Sequence, residues 1–122
     1  MSATLADLTI VVVTWHNAAD LPPLFASLAS ARAAGAELVV VDNASRDDTT
    51  AVVRTLAPDA TLITNTANRG FAAGANQGLT ASHRPFVLFL NPDTVVAPET
   101  LPRVLAYLEA LPAVGVVGCR TL

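Results

Sequence analysis

Three short apolar runs each break off into a cluster rich in polar side chains, and this repeated pattern restricts the chain to few folds. Leu8 to Thr14 is β-branched and apolar, Leu38 to Val41 is aliphatic throughout, and Phe86 to Leu90 is apolar at every position. Runs of this kind, apolar at odd and even positions alike, suit strands buried on both faces, as in parallel sheets. They are followed by Thr14-Trp15-His16-Asn17, Asp42-Asn43-Ala44-Ser45 and Asn91-Pro92-Asp93. In a parallel sheet all the carboxyl ends lie on one edge, where open α/β sheets bind ligands. Taken alone, Asn91-Pro92-Asp93 reads equally well as a turn whose polar residues satisfy its own backbone. Three such ends on one edge point to a ligand crevice, and a carboxylate there suits a metal that carries phosphates.

The intervening segments carry helical spacing. Asp20 is placed to cap a helix with Pro22 and Pro23 in its first turn, Leu21, Leu24, Phe25 and Leu28 on one face, and Gly35 at its end. Ser45 and Asp48 have the spacing of a capping box for a second helix through about Leu56, with Val52, Val53 and Leu56 inward. Thr61 to Thr64 reads as a short third strand. Pro98 and Glu99 open a further helix with Pro102 in its first turn and Leu101, Val104, Leu105 and Leu108 inward, and Val114 to Val117 reads as a last strand. Strands and helices in alternation predict an α/β fold, a mostly parallel sheet with helices on both faces.

The 122 residues suit one domain with a real core. A net charge of −3 offers no electrostatic footprint for nucleic acid. All seven basic residues are arginine, which rules out a Walker A lysine or a lysine Schiff base within these residues. The single cysteine, Cys119, reads as a small buried apolar side chain and fits a reducing compartment. No apolar run has the length of a membrane span, and no signal-peptide pattern opens the chain. The cytoplasm is the expected location, with peripheral contact to a membrane left open. His83 is expected in solvent, without a role.

Asn68-Arg69-Gly70-Phe71-Ala72-Ala73-Gly74-Ala75-Asn76-Gln77-Gly78 places three glycines four residues apart, on one face if the segment is helical. Each glycine inside a helix costs about 0.5–1 kcal/mol relative to alanine. Close approach of the backbone, either to a ligand or to a neighbouring strand, would offset that cost.

Together these segments resemble the family 2 glycosyltransferases. The resemblance rests on Thr9 to Leu21, Val39 to Ser45, Asn68 to Gly78 and Phe89 to Thr94, in that order, and covers nearly the whole chain. The N-x-G-F-A-x-G-x-N-x-G run, and N-P-D in place of D-x-D, are similar to the rhamnosyltransferase-like branch. The resemblance implies the Rossmann-like, nucleotide-binding half of a GT-A fold over residues 1–122, with the acceptor-binding half and its general base expected beyond residue 122. It implies that Thr14, Trp15, His16, Asp42, Asn43, Ser45, Asn68, Arg69, Gly70, Asn76 and Asn91 bind the nucleotide-sugar, Asp42 through the base or ribose. Asp93 would be the surviving carboxylate of a metal site holding Mg2+ or Mn2+ against the donor diphosphate, where it stabilises the leaving group.

Two departures stand out. His16 follows Trp15 where the family commonly has Thr-Tyr-Asn, and Asn91 replaces the first acid of D-x-D, which weakens metal binding because an amide oxygen is a poorer ligand. The implied activity is sugar transfer, with inversion, from a nucleotide-sugar such as dTDP-rhamnose to a cell-envelope glycan or lipid-linked acceptor. These residues alone are expected to be weak or inactive in transfer. A non-catalytic nucleotide-binding module is the alternative. A nucleotidyltransferase-like domain ranks lower, because Trp15 to Asp20 lacks the glycine-rich basic loop that class needs. Apolar surface on the face toward an acceptor half, around Val114 to Val117, would favour a homodimer.

Overall fold

The computed structural model describes residues 2–118. A short 3-10 turn, Leu5–Asp7, leads into β1 (Leu8–Thr14), followed by α1 (Leu21–Ala33), β2 (Glu37–Asp42), α2 (Thr49–Leu56), β3 (Thr61–Thr64), α3 (Phe71–Ala81), β4 (Phe86–Phe89) and α4 (Thr100–Ala110). The four strands form one parallel sheet in the order β3-β2-β1-β4. The α/β class, the parallel sheet and the helical cover are therefore as the sequence pattern predicts.

Alternation along the strands sorts the core into two layers. On one face, Ile10, Val12, Leu38 and Val40 pack with Leu21, Leu24 and Leu28 of α1, Val53 of α2, and Leu101 and Leu105 of α4. On the other, Val11, Val39 and Val41 pack with Val13, Ile63, Ala81 and Val87 beneath α3. The central strands β1 and β2 are buried almost throughout, whereas the edge strands β3 and β4 are only half covered. This is why β1 and β2 carry the most continuous β-branched runs.

The glycine stripe is explained by the second layer. A Cβ at Gly78 would lie 2.2 Å from Val11 Cγ1, and one at Gly74 would lie 2.8 Å from Val13 Cγ1. The helix rides on β1 at a distance that admits no side chain, so close approach to a neighbouring strand offsets the glycine cost. Gly70 stands outside the helix as its N-cap, with φ +84°.

Helix α1 ends as its sequence predicts. Gly35 has φ +105°, its N–H donates to the Arg32 carbonyl, and the Ala36 N–H reaches back to the Ala31 carbonyl. That pair of bonds is a Schellman motif with glycine at its left-handed position. Four local expectations need correction. Asp20 makes no side-chain cap; its carboxylate accepts from Asn17 Nδ2. Ser45 and Asp48 form no capping box: α2 begins at Thr49, because Ser45 is drawn back to Asp42. Leu56 is exposed. Val114 to Val117 forms no strand; Gly115 to Val117 instead line an apolar groove beside β4 and α4, with Val116 in solvent. Cys119 lies outside the described residues.

Candidate functional site

The carboxyl edge of the sheet is built around Asp42. The register sets Thr14 beside Asp42, and Thr14 Oγ1 donates to Asp42 Oδ1 at 2.7 Å with both residues buried. Ser45 adds two bonds to the same carboxylate, from Oγ to Oδ1 at 2.6 Å and from its N–H to Oδ2 at 2.9 Å. Asp42 is thus a buried anchor holding three protein donors.

Around this anchor, the loop after β1 hangs on side chains of the segment after β2. The N–H of His16 donates to Ser45 Oγ, that of Asn17 to Thr49 Oγ1, and that of Ala18 to Asp47 Oδ2. The backbone there would otherwise have to find its own partners, so these bonds determine where Trp15 and His16 sit. Asp47 also accepts from the Thr49 hydroxyl and N–H. The Thr49 hydroxyl bond is the main influence on its carboxyl. Desolvation opposes it, but together with the Thr49 and Ala18 N–H groups and the nearby His16 charge it holds the carboxyl below its usual range.

Two non-glycine residues in this region have left-handed backbone, His16 at φ +55° and Ala44 at φ +62°. Such conformations persist where surrounding bonds over-determine them, and they cluster at ligand sites. Both residues line the same cleft of about 630 Å³, together with Trp15, Ser45, Arg46, Thr66, Ala67 and Asn68. The Trp15 indole is largely exposed and its ring centroid lies 4.3 Å from that of His16, the planes tilted by 30°. The cleft therefore offers an aromatic face, a guanidinium and several short polar side chains at the carboxyl ends of three strands.

The expected site residues divide into groups. Trp15, His16, Ser45 and Asn68 line the cleft, and Thr14 and Asp42 lie buried beneath it. Asn43 is buried, its Nδ2 donating to the Gly70 carbonyl and its Oδ1 accepting from the Arg69 N–H. Arg69 and Asn76, expected to bind the donor, instead line a separate shallow surface with Ile63, Ala73, Gln77, Thr80 and Ala81. The reason is geometric: Gly74 and Gly78 take the sheet-facing side of α3, which turns Asn76 outward.

Asn91 and Asp93 are exposed and form a turn, in which the Asn91 carbonyl accepts from the Thr94 N–H and hydroxyl. The turn follows the carboxyl end of β4, where the Leu90 N–H still donates to the Val11 carbonyl, and neither residue is among those lining the cleft. Among the described residues, no group of three or more His, Cys, Asp or Glu side chains could hold a metal ion by itself. A single exposed carboxylate does fit Mg2+ or Mn2+, which commonly take one or two protein carboxylates and complete their shell with water and substrate phosphate.

Sequence reasoning missed Ala44, Arg46, Thr66 and Ala67. Asn65 and Thr66 follow β3 as polar residues at a fourth strand end, the same signal that found the other three. His83 is exposed, as expected, and it pairs with Glu37 at the opposite end of the sheet, Nδ1 to Oε2 at 3.0 Å.

Comparison with known proteins gives this architecture its family. The family described as glycosyl transferase family 2 matches residues 9–122. The chain belongs to that family, and its fold is the Rossmann-like portion of the GT-A fold. An uncharacterized glycosyltransferase of Haemophilus influenzae is 29% identical over 110 residues, 90% of this chain and 37% of that protein. The succinoglycan biosynthesis protein ExoU of Rhizobium meliloti is 33% identical over 110 residues, 87% of this chain and 32% of its own. The chain thus spans about a third of the length of these curated relatives. Among solved structures, the mannosyltransferase PcManGT of Pyrobaculum calidifontis, in complex with GDP-Man and Mn2+, superposes with a TM-score of 0.77 at 28% identity, over 84% of this chain and 32% of that one. Residues 1-349 of S. aureus TarS, in complex with UDP, superpose with a TM-score of 0.74 at 25% identity, over 85% of this chain and 32% of that one.

Proposed function

We propose that the cleft between Trp15, Ser45, Arg46 and Asn68 binds the nucleoside diphosphate part of a nucleotide-sugar, and that the full-length protein transfers the sugar to a cell-envelope glycan or lipid-linked acceptor. The observation that carries this is the placement of the cleft: in a family 2 glycosyltransferase, an aromatic face and short polar groups meet at the carboxyl edge of the parallel sheet. The solved relatives with GDP-Man and UDP support a nucleotide-sugar as the ligand class. The N-x-G-F-A-x-G-x-N-x-G and N-P-D motifs favour dTDP-rhamnose as the donor.

Each residue has a role in this reading. Trp15 presents a surface for the base, and Asp42 and Thr14 hold the edge of the cleft rigid. Asp42 would meet the base or ribose, as the family resemblance implies. Asp93 would hold the divalent ion, which when bound supplies charge to stabilise the leaving diphosphate. Inversion at the sugar, and the base that deprotonates the acceptor, are proposed for the part of the protein outside these residues. The setting proposed is the cytoplasm, against the inner face of the membrane where lipid-linked acceptors lie.

Calorimetric titration with dTDP, UDP and GDP, with and without Mn2+, tests the reading. The expected result is metal-dependent binding of at least one nucleotide, lost in Asp93→Ala. Binding that ignores both the metal and Asp93 would support a nucleotide module without transferase chemistry. Binding of none of the three would overturn the donor site.

A further inference from the structure

Behind the cleft, three side-chain amides are joined in a chain whose polarity is set by the backbone at one end. Asn43 Oδ1 accepts from the Arg69 N–H at 3.3 Å, and Asn43 Nδ2 donates to the Gly70 carbonyl at 3.1 Å. An N–H can only donate and a carbonyl can only accept, so these two contacts dictate which way the Asn43 amide points. Asn65 Nδ2 then donates to the same Asn43 Oδ1 at 3.0 Å. With its nitrogen turned that way, Asn65 must present its oxygen elsewhere. It does so to Gln77, in a reciprocal pair: Asn65 Nδ2 to Gln77 Oε1 and Gln77 Nε2 to Asn65 Oδ1, both at 2.8 Å.

The chain runs from α3 back to the turn that opens α3. Gln77 lies on the second half of that helix, and Asn65 is tied to the sheet by its own N–H on the Asp42 carbonyl. The turn at the far end carries Asn68 into the cleft, and is itself closed by the Gly70 N–H on Asn68 Oδ1 at 2.9 Å. Gly70 has φ +84° there, and its carbonyl also accepts from the Gly74 N–H, the first bond of α3. The Asn43 bonds hold the turn alongside it.

We propose that Asn43, Asn65 and Gln77 form a polarised amide relay that positions the Asn68–Gly70 turn, and that Gln77, which does not line the cleft, is a positioning residue for the ligand held there. The effect on ligand affinity rests on the donor-binding reading above. The effect on the turn does not.

The relay makes Gln77→Glu a charge-dependent break. An ionised carboxyl keeps an acceptor for Asn65 Nδ2 but sets a second acceptor against Asn65 Oδ1, where a donor is needed. A protonated carboxyl donates there and restores the chain. The test is a pH titration of the 15N-labelled wild-type chain and Gln77→Glu between about pH 5 and pH 8, where a partly buried carboxyl of this kind ionises. The Arg69 and Gly70 amide resonances of the variant are expected to move with ionisation and to approach wild-type positions at the acid end. The same amides in the wild-type chain should shift less. Affinity for dTDP, UDP or GDP with Mn2+ should fall about three- to tenfold at the alkaline end and recover on acidification, as for one lost hydrogen bond. Unresponsive Arg69 and Gly70 amides would overturn the relay. If neither chain binds a nucleotide, the donor reading falls and the resonances still decide the relay. Should Gln77→Glu not fold, Gln77→Met is expected to speed hydrogen exchange at Arg69 and Gly70 while α1 is unchanged; unaltered exchange at those two amides would equally overturn it.

Discussion

Thr14 Oγ1 donates to Asp42 Oδ1 at 2.7 Å, joining the carboxyl ends of the two central strands at full burial. The contact exists because the parallel register pairs these two residues, the last of their strands. Burial gives it weight: a carboxylate that loses a donor there has no water to replace it. Thr14→Val keeps the shape and removes the donor. Its expected cost is about 1.5–3 kcal/mol, the range for hydrogen bonds to charged groups, read from urea denaturation. A cost near zero would mean that Ser45 alone satisfies Asp42.

The glycine stripe makes a prediction with an order in it. Gly78→Ala places a Cβ 2.2 Å from Val11 Cγ1, in the buried layer, while Gly74→Ala meets the half-buried Val13 at 2.8 Å. Helix propensity favours alanine at both by up to about 1 kcal/mol. Overpacking against the fully buried valine should win at Gly78, for a net loss of about 1–3 kcal/mol, and Gly74→Ala should lose less. Adding Val11→Ala to Gly78→Ala should cost less than the sum of the two single changes, a coupling that a denaturation double-mutant cycle measures.

Acid stability should depend on Glu37. Partial burial disfavours its charged form, but donation from Thr9 Oγ1, the His83 N–H and the His83 ring, with the histidine charge, outweighs that and leaves the carboxyl below its usual range. A carboxyl depressed in the folded state contributes stability that is present above its unfolded value and is lost as pH falls through the folded one. The Glu37→Gln variant should therefore show a smaller loss of stability below about pH 4.5 than the wild-type chain. Equal acid slopes in denaturation series would show that Glu37 carries none of it.

Trp15 separates ligand binding from folding. Its side chain is 53% exposed on the cleft wall, so Trp15→Ala should change stability by no more than about 0.5 kcal/mol. If the indole meets the base, nucleotide affinity should weaken by about 0.5–1.5 kcal/mol, the range for an aromatic pair beyond its area. Unchanged affinity in calorimetry would remove Trp15 from the site.

Much of the framework is readable residue by residue. β1 and β2 are continuous aliphatic runs because both their faces are covered, and α1 shows its face at Leu21, Leu24, Phe25 and Leu28 and its end at Gly35. The weaker signals misled. Val114 to Val117 has the composition of a strand, but strand formation needs a partner edge, and composition carries no information about one. Ser45 and Asp48 have capping-box spacing, yet a buried carboxylate three residues earlier competes for the same serine and wins.

The amino-acid sequence by itself determined the α/β class, the positions of the four strands and the edge on which polar residues gather, because burial on two faces and the strand period are local properties of the chain. Only the tertiary structure decided which of those polar residues line the cleft and which lie elsewhere. Side chains at neighbouring strand ends compete for one another's donors and acceptors across the sheet. That competition places Asn43 inside and joins Gln77 to a turn seven residues before it, while the packing of Gly74 and Gly78 on β1 turns Asn76 to another surface.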